Sequence, residues 1–232
     1  MLNTALPVIL ISLIAAHSGK STPAEKPVTV LSAQKLSLED RQPDKYVNDV
    51  FKYNILLNYA YLSGKAEKGK LFAQSDLESL PEYQFKLEPG KTFAFHDDIL
   101  PEYQGKVEKT TNSHFNSSEG FESDGYLVGD GVCHFASLFY WAAKDAGLAT
   151  NKPVPHDFAV IPEVPREYGV SIYSTPDNTV VGQAQNLYIT NNKSKPVVFS
   201  LNYDGKNLTI SVSEQTKEEK PSMLAMLISS EK

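Results

Sequence analysis

A single cysteine, Cys133, stands among the 232 residues. One cysteine allows no internal disulfide and no cysteine-paired metal finger. It is a free thiol, half of an intermolecular bridge, or a small buried hydrophobe. Basic residues are in the minority, 22 Lys and Arg against 28 Asp and Glu, for a formal net charge of −6. That balance excludes a general nucleic-acid binder, which needs a basic face. It also gives no bulk attraction to an anionic membrane or wall polymer. No apolar run reaches the roughly 20 residues of a membrane-spanning helix, and no internal repeat is visible. His96-Asp97-Asp98, His114, His134 and His156 show no recognised ligand spacing such as His-Glu-x-x-His. No metal and no cofactor are expected. Zinc at Cys133 and His156 is the remaining metal reading.

What is present is ordinary for a folded chain, with 41% hydrophobic and 22% charged residues. The length suits one sizeable domain with appendages. The apolar run Leu6 to Ala16 has signal-peptide length, and Ala16-His17-Ser18 is a small-x-small triplet, although no Lys or Arg precedes the run. Residues 1–18 are therefore expected to be an export signal or an uncleaved N-terminal anchor. The protein is then extracytoplasmic, secreted or in the cell envelope, and touches a membrane only through that segment. No lipid-accepting cysteine follows it. Residues 19–45, rich in Pro, Ser, Lys and Glu, read as a flexible linker, with a short edge strand at Val28 to Leu31 as the alternative. The body is expected over 46–213 and a tail over 214–232.

Val47, Val50, Phe51, Asn54, Leu57 and Tyr61 recur at helical spacing, closed by Gly64. A shorter helix is predicted over Leu71 to Leu80. Leu87-Glu88-Pro89-Gly90 reads as a turn before a strand at Thr92 to Phe95. Gln104 to Asp124 reads as a long polar loop, with room for one hairpin. The strongest helix follows Gly129-Asp130-Gly131. Phe135, Leu138, Phe139, Ala142, Ala143 and Ala146 form its apolar face, and Gly147 is placed to cap it. Strands are then expected at 158–161, 170–173, 187–190, 197–203 and 208–212, with Asp204-Gly205 as a hairpin turn. The predicted class is α+β. N-terminal helices and a central Cys-bearing helix pack on a mostly antiparallel C-terminal sheet.

Three ordered segments carry a family resemblance. Leu87 to Phe95 is similar to a Pro-Gly-Glu-x-Phe-Ser-Phe stretch. Gly129-Asp130-Gly131-Val132-Cys133-His134 and the helix after it resemble a Gly-Gly-Gly-Ile-Cys-Gln segment. His156-Asp157-Phe158, then Asn186 to Asn191 and the Asp204-Gly205 hairpin, resemble a His-Ser-x segment and a later Asp-Leu-x-Phe-x-Asn strand. Together they resemble the VanW family over roughly Tyr46 to Ser213. Asp130, His134 and Asn186 depart from its pattern. The resemblance implies a bacterial envelope protein acting on or binding a cell-wall component such as a peptidoglycan peptide or glycan. It names no reaction.

Cys133 falls in the first turn of the strong helix. There the free N–H groups and the helix dipole favour a thiolate and offer an oxyanion site. His156 is the candidate base and Asn186, ahead of Asp177, the candidate orienter. That order is shared with papain-like and transglutaminase-like enzymes, an analogy of residue order alone. An amide or peptide hydrolase or transferase is the enzyme reading. Cys133, Ser137, Tyr140 and Lys144 share one helix stripe, and Asp130, His134, Ser137 and Tyr140 are candidate ligand-binding residues. Two further readings stay open: a wall-ligand binding module without turnover, and a structural domain with a buried Cys133.

Overall fold

The computed structural model describes residues 28–70, 72–126, 128–174 and 179–215. The export segment and most of the C-terminal tail lie outside these residues, as does Asp177. Strand β1 (Val28–Ser37) opens the fold, and helices α1 (Lys45–Leu62) and α2 (Gln74–Glu78) follow it. Next come β2 (Tyr83–Leu87), β3 (Thr92–Ala94) and β4 (Val107–Lys109), then α3 (Val132–Asp145) and β5 (Ala149–Asn151). Helix α4 (Thr179–Ala184), β6 (Tyr188–Thr190), β7 (Val197–Tyr203) and β8 (Asn207–Gln215) complete it. The class is α+β. One four-stranded sheet has the order β1-β8-β7-β2 and is antiparallel throughout. The other has the order β4-β3-β6-β5, with β3 and β4 parallel.

Helix α3 packs against β1, β8, β5 and α1. An aromatic core ties it to both sheets. Phe139 stacks on Phe93 at 5.0 Å, and Phe85 stacks on Phe199 at 5.0 Å. These rings are at least nine-tenths buried, and burying each contributes about 2–3 kcal/mol. Asp44 caps α1 by accepting from the Val47 amide at 3.1 Å. Three buried asparagines interrupt the apolar face of α1, and each anchors another segment. Asn48 Oδ1 accepts from the Arg41 amide, and Asn58 Oδ1 accepts from Ser113 Oγ. Asn54 accepts from the Glu122 amide and donates to the carbonyls of Glu122 and Asp130. Asn54 thereby fixes the approach to α3.

The long helices, the strands at 187–190, 197–203 and 208–212, and the Asp204-Gly205 turn match expectation. Other elements do not. The linker expected over 19–45 gives way from Val28 to the alternative, an edge strand, which runs longer than Val28 to Leu31. Residues 28–37 form β1, paired along its length with β8, and Arg41 is fully buried. Both sheets therefore draw strands from the N-terminal half, including β2, which the sequence pattern did not mark. Gln104 to Asp124 contains no hairpin. Its strand β4 pairs with β3, and residues 117–119 form a single 3-10 turn. The strand expected at 158–161 is an irregular loop, with Phe158 and Val160 in solvent. Pro153, Pro155, Pro162 and Pro165 remove four amide donors from this stretch.

Residues 170–173 are extended but carry only one bridge, Val170 to Pro155. The cause lies in α3. Ser137 Oγ accepts from the Val170 amide at 2.9 Å, and Cys133 Sγ accepts from the Ile172 amide at 3.4 Å. Side chains of a helix thus take amides that a neighbouring strand would otherwise hold.

Candidate functional site

The Gly129-Asp130-Gly131 break is dictated by close packing. Gly131 has φ +94°, and a Cβ there would lie 2.8 Å from the Phe51 carbonyl oxygen on α1. A Cβ on Gly129 would lie 2.9 Å from the Phe115 carbonyl oxygen. Glycine is needed at both places. Gly131 is the N-cap and makes no side-chain cap bond. Asp130, a candidate ligand-binding residue, turns back on its own loop. Its Oδ2 accepts from the Asp124 amide at 3.2 Å. Burial, then the nearby Asp124 carboxylate, push its carboxyl up to about 6.

The Cys133 thiol does not follow the expectation of a depressed pKa. Burial, with a smaller contribution from the Asp130 carboxylate, pushes it up to about 11. The helix N-terminus does not offset the desolvation. The sulfur is engaged by the Ile172 backbone. His156 Nδ1 lies 3.2 Å from the Ala159 carbonyl. A carbonyl only accepts, so Nδ1 carries the proton and Nε2 is the basic nitrogen. Asn186 is fully buried and joins the ends of β3 and β6. It accepts from the His96 amide and donates to the carbonyls of His96 and Asp98. No hydrogen bond joins any two of Cys133, His156 and Asn186 among the described residues. The three expected catalytic residues are thus each engaged elsewhere.

The stripe on α3 has a different use. Cys133 meets Ile172, Ser137 meets Val170, and the Tyr140 ring packs on Tyr168 at 6.0 Å. Four residues along a helix advance roughly 6.0 Å, and two along an extended chain advance roughly 6.6 Å. The spacings match, so the stripe is a rail on which residues 168–172 lie. Ser137 Oγ donates to the Cys133 carbonyl as it accepts from Val170. Lys152 Nζ sits 4.8 Å over the Tyr140 ring and donates to the Gly169 carbonyl.

His134, a candidate ligand-binding residue, contacts His156. Their ring centroids are 6.3 Å apart, and the Phe51 ring lies 5.0 Å from His134 on another side. His134 is buried, and its Nδ1 has no partner. Burial, then the nearby Arg41 charge, push its pKa down to about 3. Burial also lowers His156. Both rings are neutral at pH 7. At His134 the folded state therefore binds fewer protons than the unfolded chain between about pH 6.5 and pH 3. His134 stabilises fully above that window, and its contribution is lost as pH falls through it. Urea melts of the wild type and His134→Gln will show the wild type losing relative stability on acidification. The loss approaches on the order of 4 kcal/mol by pH 3. A pH-independent difference would mean that His134 takes up its proton as readily in the fold as in the unfolded chain.

The concavity beside this pair was not foreseen. A cleft of about 390 Å³ is lined by residues 156–161, Val164, Pro165, Arg166 and Gly169. The loop that forms it closes on itself. The His156 amide donates to the Gly169 carbonyl at 3.1 Å, and a Cβ on Gly169 would lie 2.7 Å from the His156 carbonyl oxygen. Behind it, Arg41 donates to the carbonyl of Pro162 at 3.0 Å and to Glu163 Oε2 at 2.7 Å. The proline cluster was the one sequence signal for this loop. Arg41 and Glu163 left none. His96 and His114, weighed as metal ligands, are engaged otherwise. His96 Nε2 faces the Gln185 carbonyl, and His114 bridges Asp97 and Glu119.

Fold and site together define an α+β domain with a cysteine-bearing central helix, a closed proline-rich loop and a preformed cleft. The family model for VanW like protein matches residues 83–213. The match covers more than half of the chain, and the protein belongs to the VanW family. No curated protein and no solved structure matches it.

Proposed function

We propose that this VanW-family chain is an exported envelope protein that binds a cell-wall component, the stem peptide of peptidoglycan, without covalent turnover at Cys133. The observation that carries the reading is the cleft over residues 156–169. It is mostly apolar, and Phe158 and Val160 stand in solvent at 74% and 83% exposure. Large exposed apolar side chains beside a concavity mark ligand or partner surfaces. Neutral His156 supplies an acceptor. Arg166, exposed and held to the Asp157 carbonyl at 3.1 Å, keeps donors for a carboxylate. A stem peptide offers amide N–H groups to the first, carboxylates to the second and methyl side chains to the apolar lining. The apolar run Leu6 to Ala16 supports export. The raised thiol and the separate engagement of His156 favour binding over a Cys-His hydrolase or transferase.

Calorimetry with a soluble stem pentapeptide tests this. Binding is expected, about 10-fold weaker in Arg166→Ala through loss of a charge-assisted bond, with Val160→Asp weaker as well. No heat at millimolar peptide would end the stem-peptide reading.

A further inference from the structure

A second groove lies beyond the loop that forms the cleft. It has a volume of about 440 Å³ and is lined by Ala33, Gln34, Lys35, Trp141, Glu163 and Thr209. It runs beside β1, one of the two edge strands of its sheet. Trp141 is the only tryptophan of the chain. It is half-buried and stacks on Tyr168 at 5.9 Å with 18° between the planes. Its indole N–H carries no hydrogen bond among the described residues. Tyr168 is held in turn by Asp145, which also accepts from Gln34 Nε2 at 2.6 Å. The aromatic platform is thus braced from behind.

The polar fringe is equally prepared. Glu163 has φ +67°, a backbone conformation that costs a non-glycine residue energy. Arg41 and the Ser37 amide both hold its Oε2, at 2.7 and 2.8 Å. Its Oε1 makes no hydrogen bond among the described residues, and neither do Lys35 Nζ and Thr209 Oγ1. The groove therefore presents a rigid aromatic surface ringed by an acceptor fixed in place, an ammonium, a hydroxyl and an indole N–H. That combination suits a pyranose. Its C–H face packs on an aromatic ring, and its hydroxyls need donors and acceptors around the edge.

We infer that the groove beside Trp141 is a carbohydrate subsite that takes pyranose units of a glycan strand. The inference rests on the wall-binding reading and extends it. Glu163 lines the groove while Val164, Pro165 and Arg166 line the cleft. One ligand carrying both sugar and peptide would meet the two concavities on either side of one loop.

Trp141 is its own reporter. The full chain would be titrated with β-1,4-linked N-acetylglucosamine oligomers while tryptophan emission is followed. A saturable change is expected, with the midpoint at least 10-fold weaker in Ala33→Arg, an exposed position where the new side chain fills the groove. The stem pentapeptide should bind by calorimetry and leave the emission unchanged. Pentapeptide binding with no response to sugar would overturn the inference and leave the cleft reading intact. A sugar response without pentapeptide binding would do the reverse. Equal sugar binding by Ala33→Arg would place the sugar elsewhere and overturn it. So would an emission change produced by peptides alone, which would point to strand addition on the open edge of β1.

Discussion

Gly131→Ala is expected to lower the stability of the domain by about 3 kcal/mol or more, summing left-handed strain and overpacking. The new Cβ would sit 2.8 Å from the Phe51 carbonyl oxygen and 3.1 Å from its Cα. Both are backbone atoms of α1, so no side-chain rotation relieves the contact. The helices must separate, or α3 must start elsewhere. Either change loosens Asn54 from the Asp130 carbonyl. For a domain of this size the loss corresponds to about 10 °C in Tm. Gly64→Ala is the control. Gly64 also has positive φ, +71°, but nothing lies within 4 Å of its Cβ position. It should cost only the conformational strain, about 1 kcal/mol. Urea unfolding at unchanged m-value would measure both. Equal costs would mean that the helix contact at Gly131 is not tight.

The thiol of Cys133 is expected to alkylate with iodoacetamide about 100-fold more slowly at pH 8 in the folded protein than in urea. The folded thiol lies near 11 against an ordinary 9.0, and each unit removes a factor of ten in thiolate. His156→Ala should leave the rate unchanged, because His156 makes its bond to Ala159 and none to the sulfur. The sign with pH follows. The rate should keep rising tenfold per unit through pH 10, where a free thiol has levelled off. A plateau below pH 8.5 that disappears in His156→Ala would establish a Cys-His pair and revive the enzyme reading. Cys133→Ala should fold, because the sulfur contributes mainly the acceptor for the Ile172 amide, worth about 1 kcal/mol.

The parts of this protein legible in its sequence are those governed by local rules. The apolar period of Phe135, Leu138, Phe139 and Ala142 marks α3, since a helix in a domain must bury one face. Asp204-Gly205 marks the β7–β8 hairpin, where Gly205 adopts φ +94° and Asp204 accepts from the Asn207 amide. The ordered Pro-Gly, Gly-x-Gly-x-Cys and His segments marked the family. The i, i+4, i+7 stripe of Cys133, Ser137 and Tyr140 was also legible, but its purpose was not.

What only the tertiary structure decided depends on partners distant in the chain. Residues 28–37 read as linker because β1 exists only once β8, about 180 residues later, supplies its hydrogen bonds. Whether Cys133 is activated or quenched turned on how deeply the fold buries the sulfur, which no spacing near residue 133 encodes. His134 turned towards His156 because Phe51 of α1 fills another side of its ring. Arg41 and Glu163 met across 122 positions, and that pairing set the wall between cleft and groove. The sequence determined by itself where helices and turns occur, because propensity and periodicity act over a few residues. The tertiary structure decided which polar groups are desolvated and which face each other. Those quantities depend on everything packed around a group, and they govern its chemistry.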